Sequence, residues 1–158
     1  MGLKNLRRFE HLQMAALLSG SVLAWLTTIK EFVRFYQIEG TIFKIKDCAI
    51  PNPITTPCFW GATAFLVALI WAVYIYKQKK GRGHQRKLML FLAASTVFGW
   101  ANVAYDYYKY FGAKMEPIQT CSGLVKSPLY TACFWGSVLY LLALLLTIKI
   151  VRQKKARG

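Results

Sequence analysis

Four stretches of the chain are apolar on every side and not along one stripe: Leu12 to Ile29, Cys58 to Tyr76, Leu88 to Tyr105 and Ala132 to Ile148. Each runs for about 17 to 19 residues with few or no charges, the length at which a helix crosses a hydrocarbon core of ~30 Å. A helix that is hydrophobic all round has no face to offer water, so the pattern predicts four membrane spans and not the core helices of a soluble domain. With their polar ends included, helices are expected over about 12–36, 57–76, 88–111 and 131–151, an all-α integral membrane protein. Composition agrees: 56% of the 158 residues are apolar, with mean hydropathy +0.33.

The spans are not independent of one another. Shifting the chain by 75 residues lays Pro53 to Lys80 on Pro128 to Lys155 with 13 identities in 28 positions. The centre of the match reads Pro-Ile-Thr-Thr-Pro-Cys-Phe-Trp-Gly over 53–61 and Pro-Leu-Tyr-Thr-Ala-Cys-Phe-Trp-Gly over 128–136. The same shift sets Trp25 on Trp100, Glu31 on Asp106 and Arg34 on Lys109. We read a tandem duplication of a two-helix hairpin, residues 1–80 and 81–158, sharing one bundle. Because each copy has an even number of spans, the copies enter the membrane in the same direction and the axis relating them runs along the membrane normal. The counterpart of the first helix also argues against reading that helix as a cleaved signal peptide.

Charge sets the expected orientation. The net charge is +15, and 14 of the 21 basic residues lie in the N-terminus, the link Lys77 to Lys87 and the tail, with Glu10 as the one acid there. The other two connections carry seven basic residues and five acids. Short segments rich in Lys and Arg stay on the cytoplasmic side, so both termini are expected inside a plasma or inner membrane. The basic flanks should also attract anionic lipid headgroups there. Charge concentrated beside spans explains the basic balance without nucleic acid as a partner.

The two outer connections hold every cysteine: Cys48 and Cys58 in the first, Cys121 and Cys133 in the second. Four cysteines allow three pairings, and duplication singles out a bridge inside each copy, Cys48 with Cys58 and Cys121 with Cys133. Such bridges suit an oxidising compartment and close each loop onto a helix start. Pro53, Pro57 and Pro128 should stiffen those loops as extended turns, with Thr56 and Thr131 as helix N-caps. Phe59, Trp60, Phe134 and Trp135 follow as aromatic anchors at the outer interface. Four spans, cytoplasmic termini and a cysteine pair in each outer loop resemble the DsbB family of membrane thiol oxidoreductases, and the bundle with loop cysteines is similar to vitamin K epoxide reductase. A redox reading of the chain would use a quinone cofactor and make Cys48, Cys58, Cys121 and Cys133 its reactive residues. The resemblance covers topology and cysteine number only, since the Cys-x-x-Cys pair of those families is absent.

Other chemistry is sparse. Glu31 and Asp106 each precede a basic residue by three, Arg34 and Lys109, the spacing of a same-face helical ion pair near the outer interface. Tyr105, Tyr107, Tyr108, Tyr110 and Phe111 surround Asp106 as an interfacial belt, with a quinone or lipid headgroup as the sharper alternative. Small residues such as Gly20 and Gly99 should allow close packing, and Asn102 should bond across helices. No metal site is expected, because His11 and His84 fall across the bilayer from the thiols. The sequence holds no Walker loop, Ser-His-Asp set or zincin helix.

By residue pattern the leading function is therefore a non-catalytic subunit or assembly protein, presenting disulfide-closed outer loops to a protein partner or to a second copy. A quinone-linked thiol-disulfide oxidoreductase is the alternative and a small transporter the third, so enzymatic activity is open and leans to no. The orientation has a direct check. A cytoplasm-dependent fluorescent reporter fused after Gly158 should fluoresce, and one fused after Gly112 should stay dark; the reverse result inverts the topology.

Overall fold

The computed structural model describes residues 3–43, 50–78, 82–112, 118–120, 123–125 and 127–156. Four helices dominate it: α1 (Leu3–Glu39), α2 (Pro57–Lys77), α3 (Arg82–Gly112) and α4 (Ala132–Lys155). Each is long and apolar enough to cross a membrane, and at most a third of each span is buried inside the bundle. The remainder presents Leu18, Val22, Leu26, Ile70, Val97 and Leu145 outward, an apolar belt suited to lipid. The chain is thus an all-α membrane protein.

The helices outrun the apolar stretches that predict them. α1 begins at Leu3 and continues to Glu39, where Gly40 ends it with φ of 71°, the left-handed conformation glycine adopts without cost. α3 begins at Arg82, so the link between the hairpins is shorter than the basic segment 77–87, and Gly83 lies inside the helix. Hydropathy stops at the polar residues, whereas Lys, Arg, Gln and Glu are good helix formers that carry the turns onward. The second loop adds a small hairpin that the helical reading did not include, β1 (Ile118–Thr120) antiparallel to β2 (Gly123–Val125).

Pro53 and Pro128 open one 3-10 turn each, Pro53–Thr55 and Pro128–Tyr130, where extended turns are expected. Proline's fixed φ also suits the first position of such a turn. The side chains of Asn52 and Ser127 accept from the backbone N–H groups of Ile54 and Leu129 to start them. Thr131 caps α4 by accepting from Phe134 N–H at 3.2 Å. Thr56 makes no such cap; its hydroxyl donates to the Pro53 carbonyl at 2.7 Å.

Packing follows the ring order α1, α2, α3, α4. α1 lies extensively against α2 and α4, and α4 against α3, while the α2–α3 seam is thin and α2 barely meets α4 across the centre. The inward face of α2 reads Cys58, Gly61, Phe65, Ala68, Ala72, Ile75, and that of α4 reads Cys133, Gly136, Tyr140, Ala143, Thr147, Ile150. This alternation of three and four is the repeat that keeps one side of a helix on its neighbours. At the centre the Phe65 and Tyr140 rings stack, centroids 3.7 Å apart. Gly20 makes room for the Phe65 ring, which occupies the place a Cβ would take there.

The end that carries the chain termini is joined by polar contacts. Lys154 Nζ meets Glu10 Oε1 at 2.9 Å. Gln85 donates to Gln13, which donates in turn to Thr147, at 3.1 and 2.7 Å, all three buried. These cross-helix bonds replace the one expected of Asn102, whose amide donates to the Phe98 carbonyl of its own helix. Thr27, Thr28 and Thr63 likewise satisfy themselves four residues back. We expect Gly20→Ala to destabilise the bundle by about 1 to 3 kcal/mol, as overpacking does. Thermal unfolding in detergent checks this.

A candidate redox site at the cysteine end

Cys58 sits in the first turn of α2 and Cys133 in the first turn of α4, each delivered by the 3-10 turn before it. Seven residues on, two helical turns, come Phe65 and Tyr140 on the same faces. The central stack therefore carries the two cysteines toward each other. Their Sγ atoms lie 3.4 Å apart. That separation exceeds the ~2.05 Å of a disulfide bond and matches the ~3 to 3.5 Å of atoms poised to react. The two sulfurs come from different halves of the chain, 75 residues apart. Cys48 and Cys121, and with them the within-loop pairings, lie outside the described residues.

Two recesses lie beside this contact and share Pro57, Asn102 and Cys133 in their linings. The larger, of about 540 Å³, is bounded by Cys58, Gly61, Ala64 and Phe65 of α2, by Ser95, Phe98 and Asn102 of α3, and by Cys133 and Tyr140 of α4. Among the described residues its lining has no charged side chain. Tyr140 donates to the Gly61 carbonyl at 2.9 Å, with the Ser95 side chain beside it as a second hydrogen-bond partner. The smaller recess, about 310 Å³, is the more polar of the two and brings together Glu31, Arg34, Asp106 and Lys109 with Tyr105 and Asn102. Cys133 and Asn102 line both, whereas Cys58 lines the apolar one alone. Lys109 Nζ lies 4.3 Å from the centre of the Tyr105 ring.

The aromatic residues divide in two. Phe59 packs edge-on to Trp25, Phe32 and Trp60, and Phe134 packs edge-on to Trp100 and Trp135. Trp60 and Trp135 themselves are exposed on the outside of the bundle. Trp25 with Phe59 and Trp100 with Phe134 have nearly the same geometry, 6.2 Å at 74° and 6.1 Å at 77°. His11 lies beside Tyr76, Nε2 3.4 Å from its hydroxyl, at the opposite end from the cysteines. Among the described residues no cluster of His, Cys, Asp and Glu could hold a metal.

Tyr140, Phe65, Ser95 and Ala64 were not marked as site residues by motif or composition. One signal for the first two lies in the chain: the seven-residue interval from cysteine to aromatic ring occurs in both halves. No protein-family model matches this chain, nor does any curated protein or solved structure show significant similarity to it.

The contact between the sulfurs can be trapped. In a Cys48→Ser, Cys121→Ser chain, a mild oxidant should join Cys58 to Cys133 within one molecule, seen as the loss of two free thiols and one linked peptide pair. Failure to link them would mean that the sulfurs do not meet in the membrane.

Proposed function

We propose that the protein is a membrane thiol-disulfide oxidoreductase that passes electrons from dithiols outside the membrane to a quinone in the bilayer. The observation that carries this is the 3.4 Å approach of Cys58 and Cys133 at the edge of an apolar cavity. Purely structural bridges are best kept apart, because a thiolate beside a disulfide sulfur exchanges with it. Here the inner cysteines of both loops abut, so a bridge in one loop can pass to the other. This contact moves the oxidoreductase ahead of the non-catalytic subunit that the residue pattern favours.

The exchange balances without an outside atom. With Cys48 bonded to Cys58 and the second pair reduced, the Cys133 thiolate attacks Cys58 Sγ, a Cys58–Cys133 bond forms and Cys48 leaves as thiolate. The Cys121 thiolate then attacks Cys133 Sγ, and Cys58 leaves. The second loop ends oxidised and the first reduced, a two-electron transfer between loops. The Cys48 and Cys58 dithiol returns to its disulfide as the quinone takes up two electrons and two protons. Cys133 faces the polar recess and suits the entry of electrons; Cys58 faces only the apolar cavity and suits their exit.

The rest of the reading rests on sequence. The duplicated hairpin, supported by the 13 matched identities, supplies one loop pair per copy. Both termini lie inside and the cysteine loops outside, supported by the distribution of basic residues. Anionic headgroups line the inner face, while Glu31, Arg34, Asp106 and Lys109 gather around the second recess. A transporter has less support, because fully buried Leu17, Leu88, Leu92 and Ala143 fill the bundle beyond the cavity.

Thiol mass-tagging of the purified protein across graded dithiol buffers tests the proposal. One bridge should reduce at about −120 to −230 mV, where catalytic pairs lie. Cys58→Ser or Cys133→Ser should lower dithiol-driven quinone reduction about a hundredfold or more. Bridges that resist reduction below about −300 mV are structural and would restore the non-catalytic subunit.

A further inference from the structure

The two hairpins, α1 with α2 and α3 with α4, meet along two seams, α2 against α3 and α4 against α1. The 75-residue shift makes these seams counterparts in sequence. In the structure they differ. The α4–α1 seam is closely packed and is tied by the Gln13 to Thr147 and Glu10 to Lys154 contacts. The α2–α3 seam is thin and holds the apolar cavity. Along the shift, Ala64, which lines this cavity, stands where α4 has the larger Leu139, partly buried against the core.

We infer that the quinone ring binds in the α2–α3 seam alone, entering sideways from the bilayer between Trp60 and Phe98. The inference rests on the redox reading for its ligand, and its geometry rests on the asymmetry of the seams. Trp60 and Phe98 line the cavity and are 59% and 47% exposed, so they form its rim toward lipid. A volume of about 540 Å³ falls within the range of small-molecule sites. The uncharged lining suits a neutral planar ring, and the Ser95 and Tyr140 hydroxyls, already bonded to each other and to the Gly61 carbonyl, give its wall a polar spot. Cys58 borders this space, so the Cys48 and Cys58 dithiol of the proposed exchange is oxidised where the ring is reduced to the hydroquinone. An isoprenoid tail leaves through the rim into the hydrocarbon, where it already resides. This explains how an apolar acceptor reaches thiols at the polar end without crossing the interface.

A photoreactive azidobenzoquinone with a ten-carbon tail, applied to the full-length protein in phosphatidylcholine vesicles, tests this. Label should fall on peptides carrying Trp60, Ala64 or Phe98, and unlabelled decylbenzoquinone should compete it away. Ala64→Leu, which restores the residue of the closed seam, should weaken labelling and raise the KM for quinone about tenfold or more. Gly61→Leu is a second filling variant, since a Cβ there meets no atom within 4 Å. Val67→Leu, on the lipid face, should change neither. Label in the α4–α1 seam, label that does not saturate, a tightly held phospholipid that quinone does not displace, or filling variants that label normally would each overturn the inference. Saturable label in the α2–α3 seam together with bridges that reduce only below about −300 mV would leave this site standing as a quinone site and remove the redox reading instead.

Discussion

The stack of Phe65 on Tyr140 is the contact on which the rest of the bundle depends. α2 and α4 stand diagonally across the ring of helices and meet at few places, this stack, the Tyr140 hydroxyl on the Gly61 carbonyl and Cys58 against Cys133, and the rings at the centre have the most bulk among them. In a bilayer the apolar effect does not draw helices together, since lipid is as apolar as leucine; close packing and fit must do so. A stacked pair of aromatic rings supplies both, and Gly20 allows it by leaving the volume of a side chain empty. Toward the terminal end the same faces carry Ala68, Ala72 and Ala143, small enough to bring backbones near. Toward the cysteine end they carry Gly61 and Gly136 and then the sulfurs. Rings at the centre and small residues on either side therefore produce a tight lower bundle and an open upper one.

The opening is where chemistry becomes possible. Above the stack the faces of α2 and α4 have little bulk until Cys58 and Cys133, and the space is left to one apolar cavity. Polar equipment is distributed accordingly. At the terminal end Gln13, Gln85 and Thr147 bond to one another in a buried layer that ties three helices. At the cysteine end the charged residues gather in a separate recess that meets the cavity at Cys133 and Asn102. A thiol placed between a charged recess and an apolar one borders two environments, a useful position for passing electrons between a polar donor and a lipid-soluble acceptor.

Near repetition makes the departures informative. Trp25 on Phe59 and Trp100 on Phe134 keep one geometry, and the two 3-10 turns begin with the same kind of side-chain bond. Where Gly20 faces Phe65, its counterpart Ser95 faces Tyr140, and a hydroxyl pair replaces a packed ring. Where α4 has Leu139, α2 has Ala64. Each exchange is a single side chain, and together they separate a closed seam from an open one.

By itself the sequence determined the four helices, because an apolar run of this length must satisfy its backbone internally and bury or face lipid on all sides. It also contained the 75-residue correspondence and the seven-residue interval from each cysteine to its ring, since both are properties of spacing. Helix ends at Leu3, Glu39 and Arg82 were less legible, because propensity carries a helix past the point where hydropathy stops. That Cys58 and Cys133 approach was decided only by tertiary structure, because 75 residues separate them and the 3.4 Å contact runs across the bundle. The open seam, too, is a tertiary property. Ala64 and Leu139 become a cavity and a packed wall only once α2 lies against α3 and α4 against α1, for volume left between helices belongs to no single helix.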